Sequence, residues 1–162
     1  IYTGAKFTRL YFKDCYIDGT TDFIFGPSTA LFENCMIHSK RNSYVTAAST
    51  PKEAKYGYIF KHCKLTAEPG VDKVYLGRPW RPYAYTLFIE CELGKHIVPA
   101  GWHNWGKQSN EETARYMEYK NTGEGANVSE RVAWNKQLTK KEAEAVTVDA
   151  IFGTQSNWNP ID

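Results

Sequence analysis

The sequence predicts an all-β fold, a parallel β-helix in which short strands stack coil upon coil. The first observation is a repeated frame of an apolar residue, Phe, two mostly polar residues, Cys, any residue and an aliphatic residue. The second is the spacing of this frame, because a repeat period of about 20 to 50 residues is typical of stacked coils. The third is that each copy is short, rich in aromatic and β-branched residues and bounded by turn residues, as strands are. The four copies are centred on Cys15, Cys35, Cys63 and Cys91, which are 20, 28 and 28 residues apart.

The cysteines are interpreted as packing residues. Side chains alternate along a strand, so each Cys and the aliphatic residue two positions later face the same side, and successive coils stack Cys on Cys and Phe on Phe. A free Cys behaves as a small hydrophobe that is often fully buried. No CxxC pair or Cys/His cluster indicates a metal site, and nothing in the sequence calls for a cofactor.

The pattern divides one domain into two parts. Residues 1–106 are predicted to form the coils that carry a cleft, and residues 107–162 a loop and helix tail. Apolar residues recur near helical spacing over 138–152, with Thr139 as N-cap and Gly153 just past the end, so one helix is expected there, folded back to cap the C-terminal end. The first repeat begins almost at Ile1 without a cap, so we expect further N-terminal coils outside this chain.

Composition narrows the functional classes. The net charge of +2 comes from 20 basic and 18 acidic residues mixed along the chain, which does not favour nucleic-acid binding. No stretch approaches the roughly 18 apolar residues that a membrane helix needs. No secretory leader is visible, so these residues neither indicate nor exclude secretion. Aromatic residues make up 15% of the chain, and an excess of Tyr and Trp suits stacking on sugar rings or a protein partner.

One acidic residue stands inside an apolar, β-rich segment, residues 19–26, which read GTTDFIFG. Burying a carboxylate without partners costs several kcal/mol or makes the group take up a proton, so Asp22 needs a cation or several hydrogen-bond donors. Two interpretations stay open from the pattern alone. Asp22 is either a turn aspartate held by backbone amides or a catalytic carboxylate on a face of the β-helix.

A second segment, residues 76–83 (LGRPWRPY), presents Arg78 and Trp80 on a backbone stiffened by prolines. Arginine can fork onto a carboxylate and tryptophan can stack on a sugar, although a surface loop whose Trp folds onto the core would show the same spacing. A third segment, residues 99–106 (PAGWHNWG), is interpreted as a capping turn with buried tryptophans. Its His103 has no placed partner, so it is not assigned as a base.

With these motifs the sequence closely resembles the pectin methylesterases, carbohydrate esterases whose fold is a right-handed parallel β-helix. Their segments Gly-x-x-Asp-Phe-Ile-Phe-Gly and Leu-Gly-Arg-Pro-Trp both stand here intact, at 19–26 and 76–80, in the family's order. The later segment GWHNW at 101–105 matches as well. The likeness runs from Ile1 to about Trp134, and the tail also looks like the family's.

The resemblance implies specific roles. Asp22 matches the nucleophile that attacks the carboxymethyl ester and forms an acyl-enzyme, Arg78 the arginine that hydrogen-bonds it, and Trp80 a residue that stacks on the galacturonate chain. A close arginine favours the ionised carboxylate that a nucleophile must be. The substrate would be methylated homogalacturonan (pectin), hydrolysed to pectate and methanol without a metal or cofactor by a secreted or periplasmic enzyme. The residues that resemble lesser cleft positions are Phe25, Tyr44 and Tyr83.

One element of the family's pattern is not found. The family carries a Gln-Asp-Thr motif upstream of the nucleophile strand, whose Asp is the general acid and whose Gln helps to hold the oxyanion. This sequence starts at Ile1, directly after that motif, and neither Asp14 nor Asp18 lies in it. General acid–base catalysis contributes about 10²–10⁴-fold and one oxyanion donor about 10²–10³-fold. We therefore expect this chain alone to be nearly inert and to need the N-terminal portion of the same protein as a partner.

Three rival interpretations remain at this point. A β-helix glycosidase acting on pectin needs two carboxylates, and Asp18 and Asp22 would share a face if the strand ran straight through Gly19. A lyase would want clustered acids around a metal, which the sequence does not show. A non-catalytic β-helix that binds carbohydrate would keep the aromatic face without turnover.

Overall fold

The computed structural model describes residues 1–153 together with 158 and 160, and it confirms the parallel β-helix. In chain order the strands are β1 (Arg9–Lys13), β2 (Tyr16–Gly19), β3 (Ile24–Gly26), β4 (Thr29–Glu33), β5 (Met36–Ser39), β6 (Tyr44–Ala48), β7 (Tyr58–Lys61), β8 (Lys64–Ala67), β9 (Tyr75–Gly77), β10 (Tyr85–Ile89), β11 (Glu92–Leu93), β12 (Arg115–Tyr119) and β13 (Lys136–Gln137). The helices are α1 (Ser109–Thr113), α2 (Lys140–Glu144) and α3 (Val148–Phe152), with a 3₁₀ turn at Glu124–Ala126. None of the described helices is long and apolar enough to span a membrane.

Each of the first three coils contributes one strand to each of three parallel sheets. The cleft sheet consists of β3, β6 and β9, the second sheet of β2, β5, β8 and β11, and the long sheet of β1, β4, β7, β10, β12 and β13. Equivalent residues of successive coils pair in register, so that Phe12, Phe32, Phe60 and Phe88 lie one above another. Their rings stack nearly parallel at centroid distances of 4.8, 4.5 and 4.4 Å.

The cysteines form an interior ladder, as predicted. All four are free thiols; Cys35, Cys63 and Cys91 are buried, and Cys15 at the first coil is partly exposed. The Cys63 thiol donates to the carbonyl of Phe32 at 3.3 Å, and each of the other two buried thiols donates to the equivalent carbonyl of the preceding coil. A left-handed residue precedes each Cys and turns the chain from the long sheet into the second sheet. These turn residues are Asp14, Asn34, His62 and Glu90, with φ between 50° and 54°.

The coils continue past residue 106, where the sequence repeat fades. Strand β12 pairs in register with β10, so that Glu118 lies where the phenylalanine ladder would go on. Glu118 is completely buried and pairs with Arg131 at 2.9 Å, and Asn135 donates to the same carboxylate. The repeat was lost in the sequence because a buried ion pair replaces an aromatic ring. The division of the chain into coils before residue 106 and a tail after it stays a prediction from the sequence pattern.

The predicted single helix over 138–152 is instead two helices, α2 and α3. Thr139 does cap the first in a capping box with Glu142, but Thr147 accepts a hydrogen bond from the Ala150 amide and starts a second helix. Both helices pack on the outer face of the long sheet, against Leu31, Ile59 and Leu87 among others. The tail packs on the β-helix, with its helices along the side of the long sheet. Val132 and Trp134, in the segment before the helices, pack against the interior instead.

Candidate active site

The Asp22 carboxylate and the Arg78 guanidinium meet on the cleft sheet from two coils apart. Arg78 donates from Nε to Oδ1 of Asp22 at 3.1 Å and from Nη2 to Oδ2 at 2.7 Å. Such a bidentate pair fixes the plane of the carboxylate as well as its distance. Both side chains are largely but not wholly covered, with 18% of Asp22 and 19% of Arg78 exposed. The carboxylate is therefore held in place and still open to a ligand.

Local backbone geometry brings the two residues together. Asp22 has φ of 48°, a left-handed conformation that Asp tolerates better than most residues, and its N–H donates to the Tyr44 carbonyl at 2.8 Å. Gly77, just before Arg78, lies so close to the neighbouring coil that a Cβ there would meet the Thr46 hydroxyl at 2.0 Å. Only glycine permits that approach, which explains the glycine of the LGRPW segment.

Two aromatic rings enclose the Arg78 guanidinium. Its Cζ lies 3.9 Å from the ring centroid of Tyr44 and 3.7 Å from that of Trp105. Two rings cannot occupy the same face of a guanidinium at these distances, so they cover opposite faces. The family resemblance predicts Tyr44 as a cleft residue, whereas the sequence pattern predicts Trp105 as a buried residue of a capping turn.

Trp102 and His103 explain how Trp105 reaches the site. Trp102 is buried in the interior, as expected, and pairs with Gly77 through a β-bridge, which brings the next residues beside Arg78. The His103 ring lies edge-on to Tyr44 and accepts the Trp105 N–H at Nδ1, at 3.0 Å. Burial, and secondly the charge of Arg78, lower the pKa of His103 below its usual value. A neutral ring with Nδ1 free to accept fits this contact.

Trp80 and Phe25 form an aromatic platform next to the carboxylate. The two rings meet edge to face at 6.0 Å, and Trp80 is 36% exposed. Beside them is a groove of about 420 Å³ that contains Tyr83. The structure thus separates the predicted residues into a charged centre and a flanking groove. The groove is lined by, among others, Tyr2, Lys6, Pro51, Trp80, Arg81 and Tyr83.

The second carboxylate that a glycosidase would need is not beside Asp22. Asp18 lies on β2, in a different sheet, and pairs with Lys40 at 2.9 Å. The strand does not run straight through Gly19, because the chain turns there; a Cβ at Gly19 would meet the Phe23 side chain at 2.3 Å. The premise that Asp18 and Asp22 share a strand face was therefore wrong.

Comparison with known proteins decides the family. The family model described as Pectinesterase matches residues 1–155. The chain belongs to the pectinesterase family. Pectinesterase 31 of Arabidopsis thaliana is 43% identical over 136 residues, which are 83% of this chain and 43% of that protein. Probable pectinesterase A of Neosartorya fischeri is 38% identical over 159 residues, 96% of this chain and 46% of that protein.

Solved pectin methylesterases share the fold of this family member. The enzyme from carrot superposes with a TM-score of 0.86 at 32% identity, over 94% of this chain and 54% of that one. A pectin methylesterase in complex with a hexasaccharide superposes with a TM-score of 0.78 at 30% identity, over 94% of this chain and 53% of that one. The chain thus spans about half the length of the relatives it matches. These comparisons give no support to a glycosidase or a non-catalytic binding module.

Trp105 is the site residue that the sequence interpretation missed. The sequence alone did not show it, because the pairing of Gly77 with Trp102 in neighbouring coils is seen only in the structure. The residues after each, Arg78 and then 103–105, would be neighbours in a stacked fold. The roles of Asp22, Arg78, Trp80, Phe25, Tyr44 and Tyr83 stay predictions, now with the geometry described above.

Proposed function

We propose that this chain carries the nucleophile half of a pectin methylesterase, which hydrolyses the methyl esters of polygalacturonate to pectate and methanol. The observation that carries the proposal is the bidentate Arg78–Asp22 pair on the cleft sheet of a pectinesterase-family fold. Arg78 places a permanent positive charge beside the Asp22 carboxylate, and each carboxylate oxygen keeps a further lone pair after accepting one hydrogen bond.

The chemistry follows from that geometry. One Asp22 oxygen attacks the ester carbonyl carbon, the bond from that carbon to the methoxy oxygen breaks, and methanol leaves with a proton from a general acid. Water then attacks the acyl-enzyme while the deprotonated general acid takes back one proton from it. The new anhydride bond breaks, the Asp22 carboxylate and a galacturonate carboxylate are released, and the second proton goes to solvent. Trp80 and Phe25 offer an exposed aromatic surface on which the apolar face of a sugar ring can stack. Tyr83 lies where the chain of sugars would continue into the groove.

The general acid and oxyanion donors are proposed to come from an N-terminal portion of the same protein. Among the described residues, Arg78 supplies both hydrogen bonds that the Asp22 carboxylate accepts, and no second carboxyl group bonds to the pair. The first coil also presents apolar surface, with Ile1 42%, Tyr2 60% and Phe7 62% exposed. Tyr2 packs on Phe25 of the aromatic platform, at 5.2 Å. A preceding coil seated on this surface would lie beside Asp22. Because pectin is a cell-wall polymer, we place the enzyme outside the cell that makes it.

Product analysis tests the proposed function. The complete protein, meaning this chain with any N-terminal portion encoded with it, is incubated with highly methylated pectin. Methanol and new reducing ends are measured together. An esterase releases methanol without new reducing ends, whereas a glycosidase produces reducing ends. Binding of pectin with neither product would contradict the proposal and leave a carbohydrate-binding protein. The same assay on the 162-residue chain alone is expected to show almost no methanol.

A further inference from the structure

Trp105 has a backbone conformation that bulky residues rarely adopt. Its φ is 63°, in the left-handed region, and the following Gly106 has φ of 69°. For a residue other than Gly, Asn or Asp this conformation is costly, and it persists only where the surroundings hold it. Neighbouring contacts must therefore hold Trp105 in this conformation, and the position of its ring shows what the conformation achieves.

Several hydrogen bonds hold this turn in place. The Trp105 N–H donates to His103 Nδ1 at 3.0 Å, and the Gly106 N–H donates to Asn104 Oδ1 at 2.8 Å. Asn104 is itself fixed from α1, since its side-chain amide donates to Glu111 Oε1 at 2.7 Å. The buried Asn110 donates to the Asn104 carbonyl at 2.9 Å. Hydrogen bonds within the turn and hydrogen bonds from helix α1 therefore hold the turn together.

The strained turn places the Trp105 indole over the Arg78 guanidinium, 3.7 Å from its Cζ, opposite the Tyr44 ring. A cation held against an aromatic face keeps its N–H groups free in the plane, so the rings do not compete with Asp22 for the donors. The rings also exclude water from both faces of the guanidinium. With the faces occupied, Arg78 is restricted to the plane in which it binds both carboxylate oxygens.

We propose that Trp105 is a positioning residue that holds the Arg78 guanidinium, and through it the Asp22 carboxylate, in the orientation for attack on the ester. The inference rests on the proposed function and extends it to a residue outside the Asp22–Arg78 pair. Trp105 acts through Arg78, so its loss should slow the chemical step more than it weakens binding of the polymer. A residue that only stacks on the sugar chain would show the opposite pattern.

Two substitutions distinguish the effect of the Trp105 ring from the effect of its backbone conformation. Trp105→Asn removes the ring and suits the left-handed region, so that it relieves backbone strain and is expected to fold. Trp105→Phe keeps a smaller aromatic face. In the complete protein, Trp105→Asn is expected to lower kcat by roughly 10- to 100-fold with KM changed less than about twofold. Trp105→Phe should recover part of that loss.

The matched control is His62→Asn. His62 also carries an aromatic ring in the left-handed region, with φ of 54°, but it is exposed on the turn between β7 and β8 and lies outside the site. The same aromatic-to-Asn change there should leave kcat at the wild-type value. Thermal unfolding of all variants confirms that each is folded before its rate constants are compared.

A second readout does not depend on activity. The ¹H–¹⁵N signal of the Arg78 Nε–H group, assigned by its loss in Arg78→Lys, should be shifted by the ring currents and protected from exchange with water. Trp105→Asn should remove both properties, whereas His62→Asn should not. If wild-type protein releases no methanol, the proposed function fails, while this signal still reports whether the Trp105 ring packs on the Arg78 guanidinium. If the wild type is active but Trp105→Asn keeps its kcat, raises only KM or leaves the Arg78 signal unchanged, the positioning role is overturned.

Discussion

At the scale of single residues, Asp22 and Arg78 form an ion pair whose value lies in geometry more than in stability. A partly covered salt bridge gains Coulomb energy but loses hydration and side-chain freedom, so such pairs contribute little to folding. A bidentate pair does fix a carboxylate in direction, which an attacking nucleophile requires. The aromatic rings on both faces of Arg78 serve the same end.

His96 is a residue that should make stability depend on pH. It is 4% exposed, with no hydrogen-bond partner at Nε2 among the described residues, and burial, then the charge of His38, lower its pKa from 6.5 to about 4. Below pH 6.5 the unfolded chain takes up a proton that the folded chain refuses, so stability falls as the pH drops from 6.5 to about 4. Over this window the loss amounts to about 3 kcal/mol.

The measurement for His96 is urea unfolding of this chain at pH 7.5 and pH 4.5. His96→Leu should remove most of the difference in unfolding free energy between the two values, beyond what other groups contribute. His62→Gln is the matched control, because His62 is an exposed histidine beside Glu90 and should leave the difference intact. An equal pH dependence in wild type and His96→Leu would show that His96 does not titrate as described.

The pairing of Asp22 with Arg78 could be predicted from the sequence, but the position of Trp105 could not. Asp22 and Arg78 stand in unbroken motifs, so resemblance could pair them although 56 residues separate them. Trp105 could not be paired with Arg78 without the register of the coils, because that register depends on the lengths of the loops between strands. The left-handed conformation of Trp105 also leaves no mark in the sequence, since the residue is not one that favours it.

At the scale of elements, Arg115 links strand β12 to two loops beside the groove. It donates to the carbonyls of Pro51 at 3.0 Å, Ala54 at 2.7 Å and Tyr83 at 2.7 Å. Pro51 and Tyr83 line the groove next to Trp80. The positive φ of Tyr83, 66°, is held by these contacts at its carbonyl. Arg115 thus sets the shape of the groove from outside it.

Replacement of Arg115 by Met should loosen both loops. Three carbonyls lose a donor, so we expect unfolding free energy to fall by about 1–3 kcal/mol. In the complete protein, KM for pectin should rise several-fold with little change in kcat, because the groove and not the Asp22–Arg78 centre is disturbed. Arg41→Met, at an exposed arginine, is the control. A fall in kcat at unchanged KM would contradict this assignment.

Strands could be predicted from the sequence where the Phe and Cys repeat is present. They could not be predicted where a charged residue replaces the repeated Phe. The Phe and Cys ladders were predictable, because identical residues stack at identical positions. Strand β12 was not, because Glu118 with its partner Arg131 stands in the place of a phenylalanine. The tail kept helical spacing through 138–152, but a second N-cap at Thr147 divides it.

At the scale of the whole molecule, the solenoid accounts for the proposal that one chain presents half of a catalytic site. Each coil contacts chiefly its neighbours, so a stack of coils can fold while its cleft is continued by other coils. The cleft sheet brings together Asp22 from the first coil, Tyr44 from the second and Arg78 from the third. The fold class was predictable from the sequence repeat alone, whereas the esterase assignment needed the family's motifs.

The central claim is that Asp22 is the nucleophile, and the most direct measurement is methanol release by the complete protein carrying Asp22→Asn. This change keeps shape and the left-handed backbone but removes the charge. The matched control is Asp18→Asn, at an aspartate of the same chain that pairs with Lys40 on another sheet. We predict that Asp22→Asn lowers kcat on the order of 10³-fold or more while Asp18→Asn retains the wild-type rate. Wild-type methanol release by Asp22→Asn would contradict the account.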